Sequence, residues 1–315
     1  MPATFETILT PLDGSARSEA ALPIATRLAL KTHAQLVLVQ AIGEPRPHAA
    51  DPVQEQFDDA TEAQAYLERV SRPIGEQGVL VTRSIVPRSA AVGIVAETQS
   101  HHADIIVMTT RGRSGPGRWL FGSVAEAVLA HSPVPIWLAR TDGGGATAIF
   151  DQATPRILVP LDGSRLSEAA LPHAKTLAQV LGATLTLVHV VIPSTLTTDL
   201  ELSQGEPGVS GPIYGEFEAQ MYLDDWVERL RIEGVRAGTA VRNGSPAREI
   251  LAASEDADAG LVVMATHGRT GMQRVIVGSV AMDVLRHGAL PVVVIRPAML
   301  DAQTAAPQAA VTAGE

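Results

Sequence analysis

The stretch ILTPLDGSARSEAALP beginning at Ile8 returns as ILVPLDGSRLSEAALP beginning at Ile157, with 13 of 16 positions identical and an offset of 157 − 8 = 149. A second pair, MTTRGRSGPGRWLFGS from Met108 and MATHGRTGMQRVIVGS from Met264, is offset by 264 − 108 = 156. The second copy therefore carries about 156 − 149 = 7 extra residues in its middle. Such a repeat restricts the chain to a tandem array of one domain, and 315 residues suit two domains of about 150 each. The boundaries read as a first domain over 1–140, a linker over 141–153, a second domain over 154–298 and a disordered tail over 299–315. The glycine triplet in TDGGGATAIFDQATP (141–155) marks a flexible surface connection. The tail is dominated by Ala, Gln and Thr.

Within a copy, short β-branched runs alternate with helical stretches. The runs are Ile8 to Pro11, Gln35 to Ile42, Val79 to Val86, Asp104 to Thr109 and Val134 to Leu138. Between the first two, Ala21, Ile24, Ala25, Leu28 and Ala29 form an apolar stripe at i, i+3, i+4 spacing. Ser15 is placed to cap that helix, with Glu19 in its first turn. Pro23 predicts a kink, and Pro172 repeats it. The fold class expected is α/β: two tandem copies of a five-stranded, parallel, doubly wound, Rossmann-like sheet domain. Runs such as IIVM and LVVM, apolar throughout, suit a sheet covered on both faces. Ligands in such sheets sit beyond the carboxyl ends of the strands, where the winding reverses.

Composition narrows the function. A net charge of −10 argues against a nucleic-acid or anionic-membrane partner recognised through bulk charge. With no cysteine, disulfides, cysteine-bound zinc and thiol catalysis are excluded. The opening MPATFETILTPLDGS lacks a basic segment followed by a long apolar run, and no stretch approaches the roughly 18 apolar residues of a membrane helix. A soluble, cytoplasmic protein is expected.

The two glycine loops lack the Gly-Lys-Ser/Thr of a P-loop. Gly112 and Gly268 nevertheless let the backbone approach a phosphate. Gly122-Ser123 and Gly278-Ser279 fall at a helix start, where free N–H groups and the positive dipole end favour an anion. Asp13 and Asp162 suit hydroxyl donors such as those of a ribose. The loops also carry Arg111, Arg113, Arg118, His267, Arg269 and Arg274, which can neutralise phosphate or stay solvated.

With PLDGS, these loops carry a resemblance: each half is similar to a universal stress protein domain of the adenine-nucleotide-binding subgroup, and the chain resembles a tandem member of that family. The family's ATP motif is Gly, two residues, Gly, nine residues, then Gly followed by Ser or Thr. Here nine residues separate Gly112 from Gly122-Ser123 and Gly268 from Gly278-Ser279, but the first glycine is Thr109 in one copy and Ala265 in the other. The resemblance implies that Pro11, Ala41 and Met108 flank the base in the first half, and Pro160, Val190 and Met264 in the second. It adds Val124 and Val280 after the loop serines. The implied ligand is ATP, with or without Mg²⁺. The branched Thr109 against the single methyl of Ala265 predicts tighter binding in the second half. There the longer segment 192–213 can fold over the nucleotide. The apolar final strands PVPIWLA (133–139) and LPVVVIRP (290–297) are expected to pair the halves in a pseudo-twofold, and a homodimer beyond that is compatible.

No catalytic residue and no metal site emerges. His101 and His102 are adjacent and diverge on a helix; His131 and His287 suit helix C-termini; His173 takes the stripe position of Ile24 as a core or interface residue. Gly208 to Gly211 lacks the spacing of a nucleophile elbow. No general base stands beside a nucleophile. The leading function is a nucleotide-dependent stress-response module. The alternatives are a slow ATPase or phosphotransferase using the same sites, and a nucleotide-free interaction module.

Overall fold

The computed structural model describes residues 5–43, 52–110, 122–140, 147–193, 215–266 and 278–296. The first half runs β1 (Thr7–Leu12), α1 (Ala16–Glu19), α2 (Leu22–Thr32), β2 (Gln35–Ala41), α3 (Pro52–Gly75), β3 (Val81–Val86), α4 (Ala90–Ser100), β4 (Ile105–Thr109), α5 (Ser123–His131) and β5 (Ile136–Ala139). A short helix, α6 (Ala148–Asp151), follows. The second half repeats the order with β6 (Arg156–Pro160), α7 (Arg165–Glu168), α8 (Ala170–Leu181), β7 (Thr184–Val191), α9 (Glu216–Ile232), β8 (Ala237–Asn243), α10 (Pro246–Asp256), β9 (Leu261–Ala265), α11 (Ser279–His287) and β10 (Val292–Ile295).

The ten strands among the described residues form one sheet in the order β3-β2-β1-β4-β5-β10-β9-β6-β7-β8. Pairing is parallel within each half and antiparallel only where β5 meets β10. The expected pairing of halves through their final strands is thus present. Strands β4, β5, β9 and β10 are buried at every residue, which explains their unbroken apolar sequence. The outermost strands β3 and β8 are only half-buried along most of their length. Two apolar clusters sandwich the sheet, and each runs through both halves. Ile8, Trp137, Ile157 and Val293 share one; Leu9, Leu138, Leu158 and Val294 share the other. The halves are therefore fused by a common core.

Two local expectations need correction. Pro23 produces a break where a kink was expected. Ser15 caps α1, and Ala20 and Ala21 bond back three residues to Arg17 and Ser18, so α2 starts afresh with Pro23 in its first turn. First-turn N–H groups have no intrahelical acceptor, so the missing donor costs nothing there. Pro172 sits likewise as the third residue of α8.

The flexible reading of the linker fails over its second part. Residues Ala148–Asp151 form a helical turn with Ile149 fully buried. Phe150 stacks on Trp137, with ring centroids 6.0 Å apart and planes inclined by 11°. Arg27 donates to Asp151 at 2.6 Å and lies over the Phe150 ring. Composition flagged the glycines, but the apolar pair behind them buries enough surface to order the chain.

Candidate functional site

The site begins where the sheet splits. Strands β1 and β4 are in register only at Ile8–Ile105 and Leu9–Ile106, whereas β1 stays paired with β2 as far as Leu12 and β4 with β5 as far as Thr109. In the second half, β6 and β9 match only at Ile157–Leu261 and Leu158–Val262. The carboxyl ends of the two central strands part at the point where the winding reverses, the crevice such sheets use for ligands. Pro11 and Pro160 fit this split. Leu161 donates to Val188 of β7, so by strand alternation Pro160 turns its nitrogen toward β9, where the ladder has ended. A proline in a central strand forfeits no hydrogen bond there.

Beyond the prolines, each PLDGS turn is a closed network. Ser15 donates to Asp13 Oδ1 from its backbone N (3.0 Å) and its Oγ (2.6 Å), while Ser15 Oγ accepts from Ser18 N. Asp13 N donates to Ser18 Oγ at 3.2 Å. Asp162, Ser164 and Ser167 repeat every contact with the same lengths to within 0.1 Å. Gly14 and Gly163 hold φ of 80° and 82°, values side chains resist. Asp13 and Asp162 are thus rigidly aimed, with Oδ1 engaged by their own turns. Ser18 and Ser167 were missed as site residues, although their repetition was visible.

The glycine loops start and finish at one spot. Gly122 N donates to Thr110 O at 3.0 Å, and Gly278 N to Thr266 O at 2.6 Å. Gly122 and Gly278 are the N-caps of α5 and α11, both extended, and neither has a side-chain cap. By contrast, Ser15 and Ser164 cap α1 and α7 with their own hydroxyls. Among the described residues no side chain caps the first turns of α5 and α11, whose N–H groups have no intrahelical acceptor and suit an anion. Ser123, Ser279 and Val124 are exposed beside them, and Val280 is half-buried. The positions Gly112 and Gly268, the charged loop residues around them and segment 194–214 lie outside the described residues. Thr110 and Thr266, which tie the loops, were not anticipated.

The remaining candidates surround this point unequally. Ala41 and Val190 are half-buried, on the carboxyl-terminal parts of β2 and β7. Met108, Thr109, Met264 and Ala265 are buried at the ends of β4 and β9. In each half a partly buried tyrosine stands near a carboxylate of the first short helix. Tyr222 Oη donates to Glu168 at 2.9 Å, and burial with that carboxylate pushes its pKa far up. Tyr66, related to it by 222 − 66 = 156, is pushed up to about 12 by burial beside Glu19.

The histidines take structural places. The Nδ1 atoms of His131 and His287 meet Ala127 O and Asp283 O in the last turns of their helices. His101 pairs with Glu97. His173 is half-buried on α8, and burial lowers its pKa. Among the described residues no group of three or more His, Asp or Glu could hold a metal, and no helix is long and apolar enough to cross a membrane.

Comparison with known proteins accounts for the duplication. The model of the Universal stress protein family matches twice, over residues 4–140 and 154–296. A universal stress protein of Mycolicibacterium smegmatis is 29% identical over 309 residues, covering 94% of this chain and 98% of its own length. One from Mycobacterium tuberculosis is 27% identical over 300 residues, covering 92% and 96%. A universal stress protein from Archaeoglobus fulgidus shares the fold with a TM-score of 0.70 at 24% identity, over 92% of this chain and 98% of its own.

Proposed function

We propose, for a chain that belongs to the universal stress protein family, that each half binds one ATP across its split strand ends. The observation that carries this reading is the pair of uncapped helix N-termini, α5 and α11, each tied by Thr110–Gly122 or Thr266–Gly278 beside the open end of the central strands. There the phosphates accept from the first-turn N–H groups and from Ser123 or Ser279. Asp13 or Asp162 takes the ribose hydroxyls. Pro11, Ala41 and Met108, or Pro160, Val190 and Met264, flank the base.

Nucleotide occupancy then sets the shape the chain presents in a cytoplasmic stress response. The second half binds more tightly, because Ala265 crowds the start of its loop less than Thr109 does. Affinity near micromolar, about −8 kcal/mol, is ordinary for so few polar contacts plus base burial. The test is calorimetry with ATP on the purified chain, together with identification of any co-purified nucleotide. Two binding events are expected; none at millimolar ATP sinks the reading.

A further inference from the structure

The relation that maps the first glycine loop onto the second also maps Arg140 onto Arg296 (140 + 156 = 296). Each stands one residue past the last strand of its half. Because β5 and β10 run antiparallel, the end of one lies beside the start of the other. That start is fed by the last helix of the opposite half. Arg140 Nη1 donates to Gly288 O at 2.5 Å, with Leu285 O at 3.4 Å. Arg296 Nη1 donates to Ala130 O at 2.9 Å. These carbonyls close the C-terminal ends of α11 and α5. Final-turn carbonyls lack intrahelical donors, and a cation there is favoured by the helix dipole. Both arginines are half-buried, so solvent screens them only in part. The opposite ends of the same two nine-residue helices are the N-termini at Gly122 and Gly278, which no side chain caps among the described residues.

We propose that Arg140 and Arg296 are crossed positioning residues: each fixes, from the opposite half, the helix whose free N-terminus receives phosphate. The ligand in this statement rests on the nucleotide reading; the crossed brace does not. A change in the first half then acts on the second ligand site, and the reverse. Neither half carries a complete support for its own site.

The full chain and its Arg140→Met, Arg296→Met and Arg140→Lys variants provide the test. Without nucleotide, Arg140→Met is expected to speed amide exchange in 279–288 and leave 123–132 unchanged, with Arg296→Met doing the reverse. Faster exchange in the variant's own half, or equally in both helices, overturns the brace. In a Gly122→Asp background that blocks the first site, Arg140→Met is expected to weaken ATP about two- to fivefold. Adenosine, which lacks phosphate, should bind unchanged, and Arg140→Lys should recover part of the ATP loss. Parallel weakening of ATP and adenosine overturns positioning in favour of general destabilisation. A parent chain that takes up no ATP overturns the nucleotide reading, while the exchange pattern still decides the brace.

Discussion

Trp137 on β5 stands directly opposite Val293 on β10, and 137 + 156 = 293 makes them the same position of the two copies. A residue facing its own equivalent marks a local twofold axis. The neighbouring pairs Val292–Leu138 and Val294–Ile136 exchange under that axis. The symmetry is broken in size, since an indole meets an isopropyl group and Phe150 of the linker turn stacks on the indole.

The first prediction follows from that centre. Trp137 is fully buried and its Nε1 has no hydrogen-bond partner among the described residues. Trp137→Ala should cost about 3–5 kcal/mol in denaturant unfolding, the range for emptying a large aromatic site. Trp137→Phe should cost much less, because it removes an unpaired buried donor and retains a ring for stacking. Equal losses would mean the indole N–H is satisfied after all.

At the ligand site, Gly122→Asp separates binding from stability. Among the described residues a Cβ on Gly122 meets nothing within 4 Å, and its φ of −73° suits any residue. Aspartate is a strong N-cap, so stability should hold or rise by about a few tenths of a kcal/mol. The same carboxylate would occupy the first-turn N–H groups and repel phosphate. Calorimetry should show one ATP site lost, with a melting temperature no lower than that of the parent. Two surviving sites would return Gly122 to a turn-forming role alone.

The docked linker is open to a similar test. A Cβ on Gly260 would lie 2.8 Å from Ile149 Cβ and 2.9 Å from Ile149 Cα. Gly260→Ala should therefore destabilise by about 1–3 kcal/mol. Trimming Ile149 to alanine should not rescue it, because the Cα and Cβ clashes remain. An unperturbed Gly260→Ala unfolding curve would show that the linker turn does not dock.

His173 supplies a pH dependence. Burial lowers its pKa below 6.5, so the folded chain binds this proton less readily than the unfolded one. Its contribution is intact above about pH 6.5 and declines as pH falls toward the lower folded value. Replacing it with isoleucine, the residue at the equivalent Ile24, should make the urea midpoint less sensitive between pH 7.5 and 5.5. An unchanged pH profile would assign the acid sensitivity to other groups.

Much of this molecule was readable along the chain because the responsible physics is local. The Asp13–Ser15–Ser18 network spans six residues, and the apolar strands and the stripe of α2 announce themselves by period. Duplication then doubled each signal. Pro23 shows the limit even of local reading: its residue type predicted a disturbance, but the shift to three-residue bonds at Ala20 and Ala21 decided that the helix would restart. Other features needed the assembled sheet. The parting of β1 from β4 beyond Leu9 joins residues nearly a hundred positions apart. The burial of Ile149 against Gly260 and the reach of Arg140 to Gly288 join residues more than a hundred apart. No periodicity or turn chemistry encodes such separations. They follow from an antiparallel seam that sets two copies about one axis and brings each final strand beside the other copy's last helix.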